Sequence, residues 1–137
     1  MSAASNYLEN KVLDHVLTAT GYTAPTTRYL ALFTNTSTNA AANLEAGTLT
    51  DEVSNSGTAY TRKTVTFAAA SGGSSATNAT VTFDAATASW GTITHVAVMD
   101  NSTGGNVLFW GAVTTSKAID SGDTFQVTSG NLTISLA

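Results

Sequence analysis

Threonine and serine, rather than charged residues, supply most of the polar side chains of this chain. The sequence contains 26 Thr and 14 Ser, whereas Asp, Glu, Lys and Arg make up 10% of the residues. That charged fraction is less than half of the value of about 25% that is usual in soluble domains. Thr is β-branched, which restricts its side chain in a helix and suits a pleated, half-buried strand. The composition therefore favours an all-β fold.

The length and the net charge of the chain further limit the classes of protein to which it can belong. A chain of 137 residues predicts a single domain, 1–137, with a hydrophobic core that needs no metal or disulfide. The net charge of −4 provides no basic surface for nucleic acid or an anionic membrane, so we expect neither as a partner. The sequence has no cysteine, no apolar run long enough to span a bilayer and no signal peptide. These features predict synthesis in the cytoplasm.

The N-terminal segment 1–21 predicts a short amphipathic helix. Asn6 and Glu9 are suited to cap its start, and Gly21 is suited to its end. The helix either covers one end of its own β domain or docks onto another subunit. Its apolar residues recur at the spacing of one helical face: Leu8, Val12, Leu13, Val16 and Leu17.

Residues 35–58 predict a long surface excursion, because they show no sustained periodicity and are rich in Asn, Thr, Ser and Gly. Loops of this length are uncommon in compact domains and often bind partners. The segment is therefore a candidate contact region, with Leu44 and Leu49 as its apolar anchors. A short helix within 40–46 is the structural alternative.

About eight short strands are predicted from the rest of the chain. The segments 92–99 and 106–113 are apolar on both faces for part of their length, which is typical of central strands. Between them, residues 100–105 predict the turn of an antiparallel hairpin. Closely spaced strands with opposed apolar faces predict an antiparallel β-sandwich, jelly-roll-like, with the N-terminal helix at one end.

The sequence contains few residues that could perform catalysis. His15 lies on the polar side of the predicted helix, and His95 lies in a probable central strand without a second metal ligand beside it. No serine-hydrolase or phosphate-binding motif is present, and Asp120 and Asp123 fit a turn better than a cation site. We expect no enzymatic activity, no cofactor and no metal.

Two tryptophans leave a carbohydrate-binding module open as an alternative. Trp90 lies next to Gly91 and among small residues, so it is the candidate ligand-facing aromatic, whereas Trp110 follows Phe109 in a strand. Packing in the core is the more usual role for both indoles.

Ordered blocks along nearly the whole chain resemble a family of short bacteriophage virion proteins described as tail-fibre-like. Residues 6–17 (NYLENKVLDHVL), 22–27 (YTAPTT) and 30–34 (LALFT) are similar to the opening of that family. Residues 90–95 (WGTITH), 108–112 (LFWGA) and 121–125 (SGDTF) follow in the same order. The resemblance implies a non-enzymatic component of the virion.

Together these observations lead to a hypothesis of a capsid decoration or cement protein on the outer surface of the virion, synthesised in the host cytoplasm. A homotrimer that contacts the major capsid protein is expected, since clustered copies gain avidity. The alternative is a tail-fibre or tail-tip protein that contacts tail proteins and contributes to host attachment. The predicted subunit interface comprises Leu8, Val12, Val16, Leu44 and Leu49.

Overall fold

The computed structural model describes residues 2–136 and contains nine strands and two helices within that range. All paired strands are antiparallel, so the predicted all-β class with a short N-terminal helix is confirmed. The elements in chain order are β1 (Ala3–Ala4), α1 (Asn6–Leu17), β2 (Arg28–Phe33), α2 (Ala40–Glu45), β3 (Lys63–Val65), β4 (Ser74–Ala76), β5 (Val81–Thr82), β6 (Gly91–Met99), β7 (Val107–Ile119), β8 (Gln126–Val127) and β9 (Thr133–Ser135).

The main layer is a five-stranded sheet with the order β1-β7-β6-β2-β3. Its centre is the hairpin of β6 and β7, which confirms the hairpin that the sequence predicted around residues 100–105. The turn needs glycine at Gly105, where φ is +72° and an added Cβ would collide with the Asp100 carboxylate. That carboxylate accepts hydrogen bonds from the backbone and side-chain nitrogens of Asn106 at 2.7 and 2.8 Å.

The second layer of the sandwich consists of two separate two-stranded sheets, β4-β9 and β5-β8. The segments 60–67 and 79–84 contain the short strands β3 and β5. The last two strands do not pair with each other, because β8 pairs with β5 and β9 pairs with β4. The layer therefore differs from the continuous second sheet of a jelly roll.

The main core lies between these two layers, and aromatic side chains fill it. Tyr60 and Phe83 stack with ring centroids 6.2 Å apart, and Trp90 meets Tyr60 edge to face at 5.5 Å. Phe125 meets Phe83 edge to face at 5.8 Å. Such arrangements match the edge-to-face preference of aromatic quadrupoles.

The opposite face of the five-stranded sheet is also apolar, and α2 covers it. Phe33 and Met99 are fully buried on this face, and Leu44 from α2 packs against them. Residues 35–58 are therefore more than a surface excursion: they contain the short helix that was the structural alternative, and they close a second core. Strand alternation explains this, because successive residues of β2 and β6 point to opposite faces and both faces carry apolar side chains.

A buried guanidinium connects three segments at one end of the sheet. Arg62 donates from Nε and Nη2 to the two carboxylate oxygens of Glu52, each at 2.7 Å. Its Nη1 donates to the carbonyls of Asn101 and Gly104 at 2.7 and 2.8 Å. The ion pair thereby holds the β6–β7 turn against the segment that follows α2.

Candidate assembly surface

The first turn of α1 is fixed to the sheet through Ser5. Its backbone nitrogen donates to the Leu108 carbonyl at 3.0 Å, and its hydroxyl donates to the Val107 carbonyl. The same hydroxyl oxygen accepts a hydrogen bond from the Leu8 nitrogen at 3.3 Å and so caps the helix. The prediction of Asn6 as the cap is wrong by one residue, because Asn6 is already the first helical residue and is exposed.

Beyond this first turn, α1 has little packing within residues 2–136, where Val12 and Leu13 line a groove with Leu136. Leu8 is buried, but every residue from 9 to 21 is exposed. The helix ends at Leu17, ahead of the predicted stop at Gly21, and the residue with a left-handed conformation is Ala19, with φ +56°. A helix of this length is marginal in water without tertiary contacts, so its last two turns are suited to packing against another chain.

Within residues 2–136, the large apolar side chains that are exposed lie on this helix or beside it. Val16 is 70% and Leu17 is 74% exposed, far more than is usual for large aliphatic side chains. Leu136, beside β9, belongs to the same region, because it lines a groove of about 580 Å³ together with Val12 and Leu13. We call the following residues the α1 surface: Val12, Leu13, Val16, Leu17 and Leu136.

Polar side chains flank this apolar stripe. At about 100° per residue, His15 lies about 60° beyond Val12 and Asp14 lies about 60° beyond Leu17, whereas Lys11 lies on the face opposite the stripe. The Lys11 ammonium lies 5.7 Å from the centroid of the Tyr7 ring, and His15 Nδ1 lies 3.2 Å from the Thr20 carbonyl oxygen.

The structure separates the predicted interface residues into two groups. Val12 and Val16 are exposed on α1. Leu8 is 6% and Leu44 is 1% exposed, and Leu49 is half-buried against the same core as Leu44. Leu8 and Leu44 therefore pack inside the monomer and present almost no surface to a partner.

Three residues of the α1 surface were missing from the predicted interface. Leu13 and Leu17 belong to the apolar face that the helical periodicity identified, so that signal could have included them. Leu136 continues the alternation of β9, and its position beside the helix depends on the pairing of β9 with β4, which the sequence does not encode locally.

The structure does not place Trp90 at the surface. Its indole is 4% exposed, and its Nε1 donates to the Thr58 carbonyl at 2.8 Å. Trp110 is half-buried, and its Nε1 donates to Glu45 at 2.8 Å. The small residues next to Trp90 in the sequence therefore do not lead to an exposed indole ring, and Trp90 packs in the aromatic core.

The two histidines have different environments. His15 is exposed at the end of α1. His95 is half-buried on β6, where its Nδ1 lies 2.8 Å from the Thr94 hydroxyl, and burial lowers its pKa below the ordinary value of 6.5. Within residues 2–136, no group of three or more His, Asp or Glu side chains is arranged to hold a metal ion, and no helix is long and apolar enough to cross a membrane.

A sandwich of short strands, with one helix anchored mainly by its first turn, places this chain in the class of small β structural proteins. Residues 3–135 match the model of the family described as podophage GP4 fiber I protein gp80. The chain belongs to this family, so it is a fibre-type structural protein of a bacteriophage virion. The resemblance seen in the sequence is thereby confirmed, and no match to a curated protein was found.

Proposed function

We propose that the protein is a subunit of a tail-fibre-type appendage and that it joins this appendage through the α1 surface. One observation carries the proposal: all large apolar side chains that are exposed within residues 2–136 lie on α1 or beside it at Leu136. The remaining surface is dominated by hydroxyl-bearing residues. A body with one apolar contact zone and a polar remainder is suited to attachment at one end and exposure to solvent elsewhere.

This proposal departs from the sequence-based preference for a capsid cement protein. A cement protein clamps neighbouring capsid subunits, and it therefore needs at least two contact areas. The large exposed aliphatic side chains of the described surface form one area, on α1 and at Leu136, while Leu44 is buried inside the monomer. The description of the matched family, which names a podophage fibre protein, supports the same choice.

A role in host attachment follows from the polar body. Threonine and serine hydroxyls are donors and acceptors that can bind sugars or other polar receptor groups without the cost of removing charges from water. The burial of Trp90 argues against the single aromatic platform that the carbohydrate-binding alternative relied upon. We therefore assign attachment to the assembled appendage rather than to one site on the monomer.

Electron microscopy of phage particles labelled with an antibody against this chain tests the proposal. The expected result is label at the tail, with a copy number per particle that quantitative mass spectrometry finds in the range of other tail components. Label distributed over the head, with a copy number close to that of the major capsid protein, would support capsid decoration and overturn the proposal.

A further inference from the structure

We infer that a gap between the two layers of the sandwich binds a single hydrocarbon chain that carries an anionic head group. The gap has a volume of about 430 Å³ and lies beside Arg28, the first residue of β2. Two observations define the ligand: an arginine occupies an inward-facing position, and the large apolar side chains around it are only half-buried. The inference goes beyond the proposed function and does not depend on where the protein lies on the particle.

Arg28 occupies a position of β2 that faces the other layer. It pairs directly with Val65 of β3, and it precedes Leu30 by two residues; both of these partners belong to the main core. Alternate residues of a strand share one face of the sheet, and so do directly opposed residues of neighbouring strands. The Arg28 side chain lines the gap, so a cation lies where the neighbouring positions carry aliphatic side chains.

The guanidinium of Arg28 has no carboxylate partner within residues 2–136, because the two ion pairs formed there do not include it. Its Nη1 donates to the Pro25 carbonyl at 2.9 Å. The other N–H groups of a guanidinium form a planar fork that binds a carboxylate or phosphate through two parallel hydrogen bonds. An anion at the end of the gap would therefore supply the missing counter-charge.

The walls of the gap are apolar, and the protein itself covers them incompletely. Phe67, Phe109 and Ile134 line the gap and are half-buried. Val98 and Leu108 belong to the same lining and are buried. Apolar walls with a single charged group are typical of small-molecule sites, which have volumes of about 300–1,000 Å³. The volume of this gap lies near the lower limit, so it suits one hydrocarbon chain better than the two chains of a phospholipid.

The division of the second layer explains why this gap stays open. The two-stranded sheet of β4 and β9 supplies Ser74, Ser75 and Ile134 to the lining, whereas β5 and β8 supply none of it. The exposed residues next to β4 on this lining are small, among them Ala68 and Ala70. Access to the gap is therefore not blocked by large side chains.

Charge distinguishes this gap from the groove beside α1. The α1 groove is also apolar, but the charged residue in its lining is the carboxylate of Glu9. An anionic head group is repelled there, whereas Arg28 attracts it. The inference therefore places an anionic amphiphile in the gap and not on the α1 surface.

Calorimetric titration of the full chain with octanoate, below the concentration at which octanoate forms micelles, tests the ligand class. We expect one octanoate to bind per chain, and 1-octanol, which has no charge, to bind at least about tenfold more weakly. Hexanoate should lose up to about fourfold in affinity for each methylene removed. Absence of octanoate binding at millimolar concentrations, or equal binding of octanoate and 1-octanol, would overturn the inference.

Substitution tests the role of the guanidinium. Arg28→Gln removes the cation at the gap, and Lys117→Gln removes one from an exposed part of β7 as the matched control. The first variant should weaken octanoate binding at least about tenfold, and the second should leave it unchanged. Equal affinities of the two variants would contradict the assignment. Circular dichroism checks that both variants fold, and the comparison of octanoate with 1-octanol needs no variant.

Amide chemical shifts in nuclear magnetic resonance spectra locate the ligand. Octanoate should shift the signals of Phe67 and Ile134, which line the gap, and leave those of Val16 and Leu17 on α1 unchanged. Shifts confined to α1 would show that the amphiphile binds the exposed apolar helix, and they would overturn the inference. The proposed function would stand in that case, since it is tested by the position of the protein on the particle.

Discussion

Ser5 connects the helix to the sheet through its hydroxyl group and its backbone nitrogen. The side chain is completely buried, caps α1 at the Leu8 nitrogen and donates to the carbonyl of Val107 on β7. Because residues 9–17 of α1 are exposed, Ser5 and the buried Leu8 determine where the helix begins and how it leaves the body.

The Ser5→Ala variant should lower the free energy of unfolding by about 1–2 kcal/mol, since it removes a helix cap and leaves a buried carbonyl without its donor. Asn6→Ala is the matched control, because Asn6 was the cap that the sequence predicted and is exposed in the structure. Urea denaturation measures both. A larger loss for Asn6→Ala than for Ser5→Ala would show that the cap is assigned to the wrong residue.

Asp51 makes stability depend on pH. Burial alone would raise the pKa of Asp51, but hydrogen bonds from Ser37, Thr36 and Asn43 stabilise the ionised carboxylate and lower the pKa below its ordinary value of 3.8. The unfolded chain therefore takes up this proton at a higher pH than the folded protein does. The stabilisation is fully present above the ordinary pKa and is lost as the pH falls through the lower folded pKa.

Chemical denaturation at a series of pH values between about 5 and 2 should therefore show a smaller slope of unfolding free energy for Asp51→Asn than for the unmodified protein. The exposed Asp120→Asn is the control for the loss of one carboxyl group. Equal slopes for all three proteins would contradict this account of Asp51.

At the scale of elements, α1 and α2 differ in the burial of their apolar side chains. Leu44 of α2 is buried against the sheet, whereas Leu17 of α1 is exposed. Leu44→Ala should therefore cost about 2–5 kcal/mol of unfolding free energy, and Leu17→Ala less than about 0.5 kcal/mol in the monomer. Thermal or urea unfolding at a concentration where the protein is monomeric measures both. Similar costs would mean that α1 packs on its own chain.

The sequence predicted those elements whose signal is local. Helical spacing identified the apolar face of α1, and the turn residues at 100–105 identified the β6–β7 hairpin. It could not predict that Trp90 and Leu44 are buried, because their burial depends on contacts between segments that are distant in the sequence. The division of the second layer into two short sheets has the same origin, since β4 pairs with β9 and β5 pairs with β8 across long stretches of chain.

At the scale of the whole molecule, the surface combines a low content of charged residues with one exposed apolar zone. A hydroxyl-rich body needs few ion pairs, and the buried pair of Arg62 and Glu52 is used to join segments within the fold. Within the described part of the chain, the large apolar side chains that remain exposed lie on α1 or at Leu136. The sequence indicated an assembling protein from its composition, whereas the location of the contact zone required the fold, because Leu136 meets α1 only through the pairing of β9.

The most direct test of assembly through the α1 surface is the copy number of a variant subunit in phage particles. Host cells would supply the Val16→Glu/Leu17→Glu variant, or the control Thr115→Glu/Ser116→Glu on β7, to a phage that lacks the gene for this chain. Quantitative mass spectrometry of purified particles then counts the subunits, after circular dichroism has shown that both variants fold. We predict that the control is incorporated like the unmodified chain and that the α1 variant is absent from the particles. Incorporation of the α1 variant at the level of the control would contradict the account.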